Sequence, residues 1–367
     1  MRMAQIFIRD GHHVEVLTLE SQEEVARRTF PFPVTAIGKG IGRYGYNPKL
    51  APWLRQHAGR FDCVIVHGLW NYSSLGSWRA LRSLSTPYCI FSHGMMSPWF
   101  REHYPLKHLK KQAFWSLVEG RVLRDARYVL FTCDEERQSA RNVFRGFCYK
   151  ECVAGYGTAD PTGDADSQKS VFLTTFPALK NKRFFLFLGR IHPIKGCDLL
   201  IEAFAECIST IPSDFNLVIA GPDPSGMIPG LKKLAEKLGI SDRTHWLEMI
   251  EGDLKWGAMR AADALIHPSH HENFGLVIAE AMACGTPVLI SDKVNIWREV
   301  VASQGGVVEP DTVEGTRKLI CRFLSLSGEE LAKMKIAARQ GYLQYFDVEK
   351  SARNLLNLIK ATTGERR

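Results

Sequence analysis

The chain has 367 residues, of which 45% are hydrophobic and 23% are charged, a composition typical of a globular protein long enough for two domains. Its nine cysteines are scattered singly, which predicts reduced, mostly buried thiols and not a disulfide framework. No apolar run reaches the roughly 20 residues of a membrane-spanning helix, and the opening MRMAQIFIRDGHHVEVLTL lacks the pattern of a signal peptide. We therefore predict a cytoplasmic protein.

The formal net charge of +8 is concentrated in the N-terminal half. Residues 1–170 hold 23 of the 47 Lys and Arg residues but only 16 of the 39 Asp and Glu residues, a net charge of +7. Such a half can attract phosphates, anionic lipid or nucleic acid, although a merely soluble basic surface explains the excess equally well. Nucleic acid is the weakest of these partners, because the basic residues accompany no known reading motif.

Short β-branched runs alternate with helix-length segments through the first half of the chain. Strands are predicted at 13–19, 62–68, 87–94, 127–133 and 151–157, and helices at 74–84, 104–125 and 134–145. This alternation is typical of parallel strands joined by crossover helices. Segment 158–170, TADPTGDADSQKS, is polar and rich in turn residues, which predicts a linker between domains.

A second set of strands follows that linker. The strands are predicted at 183–191, 216–222, 244–250, 264–269, 287–291 and 305–310, with closing helices at about 328–343 and 347–361. We predict two doubly wound α/β domains, 1–165 and 166–345, and a final segment, 346–367, that packs back toward the first domain. Ligands of such sheets bind beyond the carboxyl ends of the strands, so we expect the site in the cleft between the domains.

Two cations follow the first strand of the second set. In FLGRIHPIKG, 187–196, Arg190 and Lys195 stand on the loop between that strand and the next helix. Arginine binds phosphate with two parallel hydrogen bonds and lysine supplies a mobile point charge, so the pair suits a diphosphate. The alternative is two solvated loop cations.

The segment HHENFGLVIAEAMACGTPVLISD, 270–292, carries two acids eight positions apart, Glu272 and Glu280. Its predicted helix begins near Gly275 and Leu276, where free N–H groups and the helix dipole favour an anion such as a diphosphate. Glu272 would then lie beside one end of the ligand, and Glu280 could accept hydrogen bonds from a ribose diol at the other end. An acid within so apolar a run needs a partner, which argues against two solvated glutamates.

These residues resemble the nucleotide-sugar site of the family 4 retaining glycosyltransferases, which have the GT-B fold of two Rossmann-like α/β domains. The paired-glutamate motif and the upstream GRIHPIKG carry the resemblance. The segments DCVIVHGLWN, FSHGMMSPW and SDKVNIWREV are similar to bacterial members that build surface polysaccharides, so the likeness extends over nearly the whole chain.

The resemblance implies a role for each matched residue. Arg190 and Lys195 would hold the diphosphate of a UDP- or GDP-sugar, Glu272 would contact the donor sugar, and Glu280 would bind the ribose. His93 matches the family's histidine beside the donor sugar, although on position alone it reads equally well as an ordinary strand-end histidine. Three residues would bring their backbone near the donor: Phe274, Gly275 and Leu276.

The activity that the resemblance implies is transfer of a hexosyl group, with retention, to a glycan or lipid-linked acceptor in polysaccharide biosynthesis. We predict His93 and Glu272 as the catalytic residues, without assigning either as a covalent nucleophile. No cofactor is expected, because the nucleotide-sugar is a substrate. No metal is expected either, because no Asp-x-Asp pair stands where one would be held.

The chain departs from the family pattern at three places. The family begins with a strand and a glycine-rich loop, whereas residues 1–10 are predicted to form the helix that follows them, so we expect a start further upstream or a truncated product. Glu248 stands where relatives usually carry glycine, in a loop facing the nucleobase, and GYGTAD, 155–160, replaces an Asn-Gly turn. A nucleotide-sugar-binding protein without activity, and an epimerase or phosphorylase on the same fold, therefore stay open as alternatives.

Three other patterns have ordinary explanations beside the functional ones. GIGRYG, 40–45, fits a dinucleotide-binding pattern, but no helix starts directly after its glycines. His267, His270, His271 and Glu272 look like metal ligands, but Pro268 interrupts the helical spacing that a two-histidine zinc site uses.

The third pattern is the basic segment 104–128, which suits an interfacial helix on anionic lipid, a possible peripheral contact with the inner membrane face. Packing against the sheet is equally compatible, because four apolar residues follow helical spacing: Leu106, Leu109, Ala113 and Leu117.

Overall fold

The computed structural model describes residues 2–364, with side chains as far as residue 361. It consists of two compact units, Met1–Tyr156 with Val348–Arg367, and Gly157–Asp347. Each unit is built on parallel β-sheet and has its own hydrophobic core.

The helices and strands follow one another in near-regular alternation. Residues 2–156 form α1 (Arg2–Arg9), β1 (Val16–Thr18), α2 (Gln22–Ala26), β2 (Val34–Ala36), α3 (Leu50–His57), β3 (Val64–His67), α4 (Tyr72–Leu81), β4 (Tyr88–Phe91), α5 (Trp99–His103), α6 (Pro105–Phe114), α7 (Gly120–Asp125), β5 (Tyr128–Phe131), α8 (Asp134–Ala140) and β6 (Glu151–Val153). The second unit forms α9 (Ala165–Thr175), β7 (Arg183–Leu188), α10 (Cys197–Glu206), β8 (Phe215–Ala220), α11 (Ile228–Lys237), β9 (Thr244–Leu247), α12 (Gly252–Ala261), β10 (Ala264–His267), α13 (Leu276–Ala283), β11 (Val288–Ser291), α14 (Trp297–Ser303), β12 (Gly306–Glu309), α15 (Val313–Leu324) and α16 (Gly328–Gly341). The last helix, α17 (Val348–Gly364), belongs to the first unit.

Short irregular helices lie between these elements. Single 3₁₀ turns occur at Ala58–Arg60, Pro177–Leu179, Pro193–Lys195 and Ser241–Arg243, and π-helical turns at Trp115–Glu119 and Tyr342–Phe346. The helix predicted over 104–125 is therefore α6 and α7 joined by a π-helical turn. Every strand predicted from the sequence overlaps a strand of the structure, and β2 is one that the sequence did not predict.

The first unit contains two separate parallel sheets. One has the strand order β3-β4-β5-β6 and the other pairs β1 with β2. All four residues of β4 are buried, whereas Val64 and Ile65 of the edge strand β3 are half-buried. The carboxyl ends of β3, β4 and β5 lie at one edge of their sheet, because the three strands are parallel.

The second unit is one six-stranded parallel sheet in the order β12-β11-β10-β7-β8-β9. From the central strand β7 the chain winds outward through β8 and β9, and then returns to β10 on the other side of β7. The connections that leave β7 and β10 therefore diverge, and open α/β sheets bind their ligands at such a point, beyond the carboxyl ends of the strands. The predicted phosphate-binding segment with Arg190 and Lys195 lies on the connection after β7. The paired-glutamate motif with Glu272 and Glu280 lies on the connection after β10.

The predicted linker at 158–170 is wrong over its second half. The chain is irregular as far as Asp164, whose carboxylate accepts a hydrogen bond of 2.7 Å from the N–H of Ser167 and so caps α9. Gln168 is buried within this helix and donates to Asp253 of α12. The sequence alone suggests a flexible connection here, because an aspartate that caps a helix cannot be distinguished from an aspartate in a turn.

For segment 104–128, the alternative in which the leucines of α6 and the following turn pack against the sheet is also wrong. Leu106, Leu109 and Leu117 are 77%, 66% and 68% exposed. No helix among the described residues is both long enough and apolar enough to cross a membrane.

The contact between α9 and α12 gives a prediction on stability. A Cβ added at Gly257 of α12 would lie 2.1 Å from the backbone oxygen of Gln168. Overpacking costs about 1–3 kcal/mol, whereas alanine gains roughly 1 kcal/mol over glycine in a helix. We expect Gly257→Ala to lower the free energy of unfolding in urea, because the clash is with backbone.

Gly230→Ala is the matched control, because Gly230 lies in helix α11 with nothing within 4 Å of the added Cβ. This variant should be unchanged or up to about 1 kcal/mol more stable. Equal stability of the two variants would contradict close packing of α9 on α12.

Candidate functional site

The loop after β7 turns a lysine inward. Arg190 is exposed, and the next residues form the 3₁₀ turn Pro193–Lys195, in which the N–H of Ile194 donates to Nδ1 of His192 over 3.2 Å. Gly196 has a φ of +66°, and a Cβ there would lie 2.3 Å from the carbonyl oxygen of Pro268. Only glycine permits both this conformation and this close approach of the two loops. With the loops so close, the Lys195 side chain is only 10% exposed.

The loop after β10 is fixed by backbone hydrogen bonds on both sides. The N–H of His270 donates to Ile194 of the first loop over 2.9 Å. The N–H of Glu272 donates to the carbonyl of Lys293 over 3.1 Å, and its own carbonyl accepts from the N–H of Asn295 over 3.0 Å. Glu272 is therefore held rigidly, although it lies on a loop.

The two loops bring together Lys195, Glu272 and His267. Lys195 Nζ forms an ion pair and hydrogen bond with Glu272 Oε2, and His267 Nε2 lies 3.9 Å from the same oxygen. His267 is fully buried, and burial, together with the nearby Lys195 charge, lowers its pKa to about 4, so the imidazole is neutral at pH 7. Burial alone would raise the pKa of Glu272, but the positive charge of Lys195 holds it below the ordinary value.

The start of α13 supplies hydrogen-bond donors beside this ion pair. Gly275 precedes the helix with a φ of +74°, and a Cβ there would lie 2.7 Å from Cδ1 of Ile278 and 3.2 Å from Cγ of Glu272. Within the part of the chain that the structure describes, the N–H groups of Gly275 and Leu276 make no hydrogen bond. Phe274 is buried, whereas Leu276 is 43% exposed. Free amides at a helix start form a ready anion site.

Glu280 lies further along α13 and has a partner that the sequence did not reveal. Lys255 Nζ of α12 lies 2.8 Å from Glu280 Oε1, and the two side chains are 23% and 15% exposed. The sequence indicated that Glu280 needs a partner. The partner stands 25 positions earlier in another element, where only the folded chain shows it.

The other predicted residues of the second unit are less constrained. Arg190 makes no ion pair with any residue in the described range, and Glu248 is exposed on the loop after β9. His270 Nδ1 lies 2.9 Å from Oδ2 of Asp311, while the Nδ1 of His267 faces Ser269 at 3.4 Å.

His93 lies in the first unit, at the carboxyl end of β4, with a φ of +47°. A bulky side chain in this left-handed region is strained and persists only when its neighbours are fixed. The buried carboxylate of Glu136 fixes them: it accepts from Ser92 Oγ and from the N–H of Gly94, each at 2.6 Å, and also from Thr132.

The His93 side chain is also held. Its Nε2 lies 2.9 Å from Nδ1 of His67, at the end of the neighbouring strand β3. Burial lowers the pKa of His93, so its imidazole is neutral at pH 7 and both accepts and donates a hydrogen bond. His67 and Glu136 are not evident from the sequence, because a strand-end histidine and a helical glutamate carry no signal by themselves.

Two family models match the chain. The model "Glycosyl transferase 4-like domain" matches residues 1–147, and "Glycosyl transferases group 1" matches residues 175–341. Together these two glycosyltransferase models match most of the chain, which belongs to the glycosyltransferases. The second model includes the two loops that form the Lys195–Glu272 pair and the two helices, α12 and α13, that form the Lys255–Glu280 pair.

Similar curated proteins agree with this family over part of their length. D-inositol 3-phosphate glycosyltransferases from Segniliparus rotundus and Rhodococcus opacus are 43% identical over 120 residues and 34% identical over 184 residues. These matches cover 32% and 48% of this chain. They span only 26% and 40% of the relatives' own length.

Solved structures of the same fold align with nearly the whole chain. Sucrose-phosphate synthase from Thermosynechococcus elongatus has a TM-score of 0.75 and 19% identity over 99% of this chain and 92% of its own. HepE from Anabaena, in complex with UDP and glucose, has a TM-score of 0.74 and 20% identity over 98% of this chain and 94% of its own. At these identities the likeness shows the fold, and the predicted GT-B architecture is confirmed.

The Lys195–Glu272 pair gives a prediction on pH dependence. In the protein the pKa of Glu272 lies below its ordinary 4.5, so the pair stabilises the folded state above that pH and less as the pH falls through the folded pKa. Lys195→Met removes the charge that lowers this pKa and leaves burial, which raises it. We expect the variant to lose about 2–4 kcal/mol of unfolding free energy at pH 8 and less at pH 5, measured by urea unfolding.

The double variant Lys195→Met/Glu272→Gln removes both charges and should recover most of the loss at pH 8. A loss that is equal at pH 8 and pH 5 would contradict a buried ion pair as its cause.

Proposed function

We propose that the protein is a retaining glycosyltransferase that transfers a hexosyl group from a UDP- or GDP-sugar to a glycan or lipid-linked acceptor in polysaccharide biosynthesis. The single observation that carries the proposal is the Lys195–Glu272 pair beside the free amides of Gly275 and Leu276. A donor has an anionic diphosphate next to a sugar with several hydroxyls, and this arrangement offers a cation and amides next to a carboxylate.

The proposed donor position follows from the groups available. The diphosphate binds at the start of α13, where Lys195 and the exposed guanidinium of Arg190 supply positive charge. Glu272 accepts hydrogen bonds from hydroxyls of the transferred sugar. Glu280 lies about 6 Å further along the helix axis than Leu276 and accepts from the ribose diol.

We propose UDP as the first nucleotide to test, because the structure of HepE, which shares the fold, was solved with UDP and with UDP-glucose. Glu248 is exposed on the loop after β9, and its contact with the base stays a prediction.

The proposed mechanism is electrostatic. As the bond between the sugar and the diphosphate breaks, negative charge develops on the diphosphate, and the two cations and the helix amides stabilise it. These groups supply the charge that a divalent cation supplies in other transferases, which supports a metal-independent reaction.

Retention requires either a covalent intermediate or attack on the same face of the sugar. The pair with Lys195 lowers the basicity of Glu272 and engages its Oε2, which makes this carboxylate a weak nucleophile. The pairing therefore favours same-face attack. For His93 we propose a hydrogen bond from its neutral imidazole to a sugar hydroxyl, without transfer of charge.

The activity is tested by donor cleavage. The purified protein is incubated with a panel of UDP- and GDP-sugars with and without oligosaccharide acceptors, and the released nucleoside diphosphate is measured with and without EDTA. We expect release with one donor class, unchanged by EDTA. Glu272→Ala and Arg190→Ala should each lose roughly 10²–10³ in rate, as loss of one transition-state contact does.

Lys318→Ala, which removes an exposed cation far along the sequence from both motifs, is the control and should keep full activity. Binding of UDP or GDP by the unmodified protein without release from any donor would leave only the non-catalytic alternative. Donor loss without acceptor and without nucleoside diphosphate would favour an epimerase.

We further propose that helix α6 and the π-helical turn after it rest on an anionic membrane, which would make the protein peripheral at the inner membrane face. We name Leu106, Leu109 and Leu117 the leucine face; all three are exposed on one side of this helix. Four exposed cations lie on or beside it: Arg101, Lys107, Lys110 and Arg121. Exposed leucines flanked by basic residues suit the headgroup region of an anionic bilayer.

The membrane proposal is tested by sedimentation with vesicles of phosphatidylcholine alone and of phosphatidylcholine mixed with phosphatidylglycerol. We expect binding to the anionic vesicles that weakens with salt, because screening reduces the attraction of the cations. Leu106→Ser/Leu109→Ser should bind at least about tenfold more weakly, because each leucine contributes roughly 1.5–3 kcal/mol when buried.

Ile336→Ser is the matched control, since Ile336 is 60% exposed on helix α16 of the other unit. Equal vesicle binding by the leucine variant and this control would exclude the leucine face as the contact.

A further inference from the structure

The two glutamates of the motif share a feature that their spacing does not reveal: each is paired with its own lysine. Glu272 pairs with Lys195, and Glu280 pairs with Lys255. Lys195 belongs to the diphosphate site already described, whereas Lys255 stands on a different helix, α12, and lies in neither motif.

The surroundings of Glu280 show why a lysine is needed there. Its neighbours along α13, Ile278, Ala279 and Ala281, are fully buried, so the carboxylate emerges from an apolar helix with only 15% of its side chain exposed. A carboxylate in such a place is costly unless it is paired. Lys255 supplies the pair at 2.8 Å to Oε1.

The lysine itself is fixed, which makes the contact an oriented one. Its Nζ lies 4.1 Å from the ring centre of Trp256, a buried residue, in addition to its contact with Glu280. The ammonium therefore contacts both an indole ring and the carboxylate. A lysine side chain held at its head restricts the rotamers of the glutamate that it contacts.

The pairing leaves acceptor capacity for a ligand. An ionised carboxylate has about four lone-pair positions, and Lys255 uses one of them on Oε1. Among the described residues, Oε2 of Glu280 receives no hydrogen bond. Two vicinal hydroxyls could thus donate to the two oxygens of Glu280 without displacing Lys255.

We propose that Lys255 is a positioning residue for the donor: it holds the Glu280 carboxylate in the orientation that accepts the 2′- and 3′-hydroxyls of the ribose. The inference rests on the proposed function, since it assumes that Glu280 meets the ribose. Lys255 itself touches no part of the donor. Its loss should weaken recognition of the diol specifically and raise KM for the donor more than it lowers kcat.

The test compares nucleotides with and without the diol. Calorimetry measures the Kd of UDP, GDP and their 2′,3′-dideoxy counterparts for the unmodified protein, Lys255→Met, Lys255→Arg and Glu280→Gln. The readout is the ratio of the dideoxy Kd to the Kd of the parent nucleotide, because any general effect of charge on diphosphate binding cancels in that ratio.

The unmodified protein should prefer the diol by about tenfold or more, as expected for hydrogen bonds to a charged group. Lys255→Met should reduce the preference to nearly that of Glu280→Gln, and Lys255→Arg, which keeps the cation, should retain most of it. Thermal unfolding of Lys255→Met checks that the variant is folded. The ratio of the two Kd values is compared only for variants that bind the parent nucleotide.

The outcomes separate the inference from the function on which it rests. If Glu280→Gln abolishes the preference and Lys255→Met keeps it in full, the inference is overturned while the ribose contact stands. If the unmodified protein shows no preference, the ribose role of Glu280 fails and the inference fails with it. If Lys255→Met does not fold, Lys255→Arg decides, because loss of the preference in that variant would overturn a role that depends on the cation.

Discussion

The divergence of the chain on the two sides of strand β7 is the constraint on which the candidate site depends. Because β8 lies on one side of β7 and β10 on the other, the loops that follow β7 and β10 leave the sheet in opposite directions. Because β7 and β10 are also neighbouring parallel strands, the two loops start side by side, and residues 77 positions apart, Lys195 and Glu272, meet at one ion pair. No local preference of either loop could produce that contact.

The close approach of these loops is possible because of two glycines. At Gly196 and Gly275 the backbone is left-handed, and a Cβ at either position would meet atoms of the neighbouring loop or of the next helical turn. A side chain at Gly196 would push away the carbonyl of Pro268 and so separate the lysine from the glutamate. At Gly275 it would press on Ile278 and on Glu272 itself. The glycines thus act on the site through packing, in addition to the freedom of their dihedral angles.

The strands were predictable because both faces of a parallel sheet are buried. Such strands read as continuous apolar runs, of which FFLFL in β7 is an example. Strand β2, Val34–Ala36, was not predictable because its three residues directly follow Pro31 and Pro33, and so short a run beside prolines gives no strand signal. The exposure of Leu106 and Leu109 escapes the sequence for a different reason: helical spacing shows which residues share a face, but it does not show what covers that face.

Only those residues of the candidate site that stand in a sequence motif could be predicted. Arg190, Lys195, Glu272 and Glu280 stand in recognisable segments, and the structure places the last three in two ion pairs. That pairing was not predictable, because nothing in the sequence distance between Lys255 and Glu280 marks them as neighbours. The same holds for Glu136, which fixes the residues on both sides of His93 from a helix 42 positions beyond Gly94.

A site for an anionic donor that contains two carboxylates would repel its ligand unless those charges are offset. Lys195 and Lys255 offset them one by one, so Arg190 and the amides of α13 remain as a net attraction for the diphosphate. On the proposed function, Lys195 is shared between Glu272 and the diphosphate. As the sugar departs, the phosphate gains negative charge and Glu272 does not, so the attraction of Lys195 shifts toward the phosphate. Stabilisation that grows along the reaction lowers the barrier, whereas equal binding of the ground state would not.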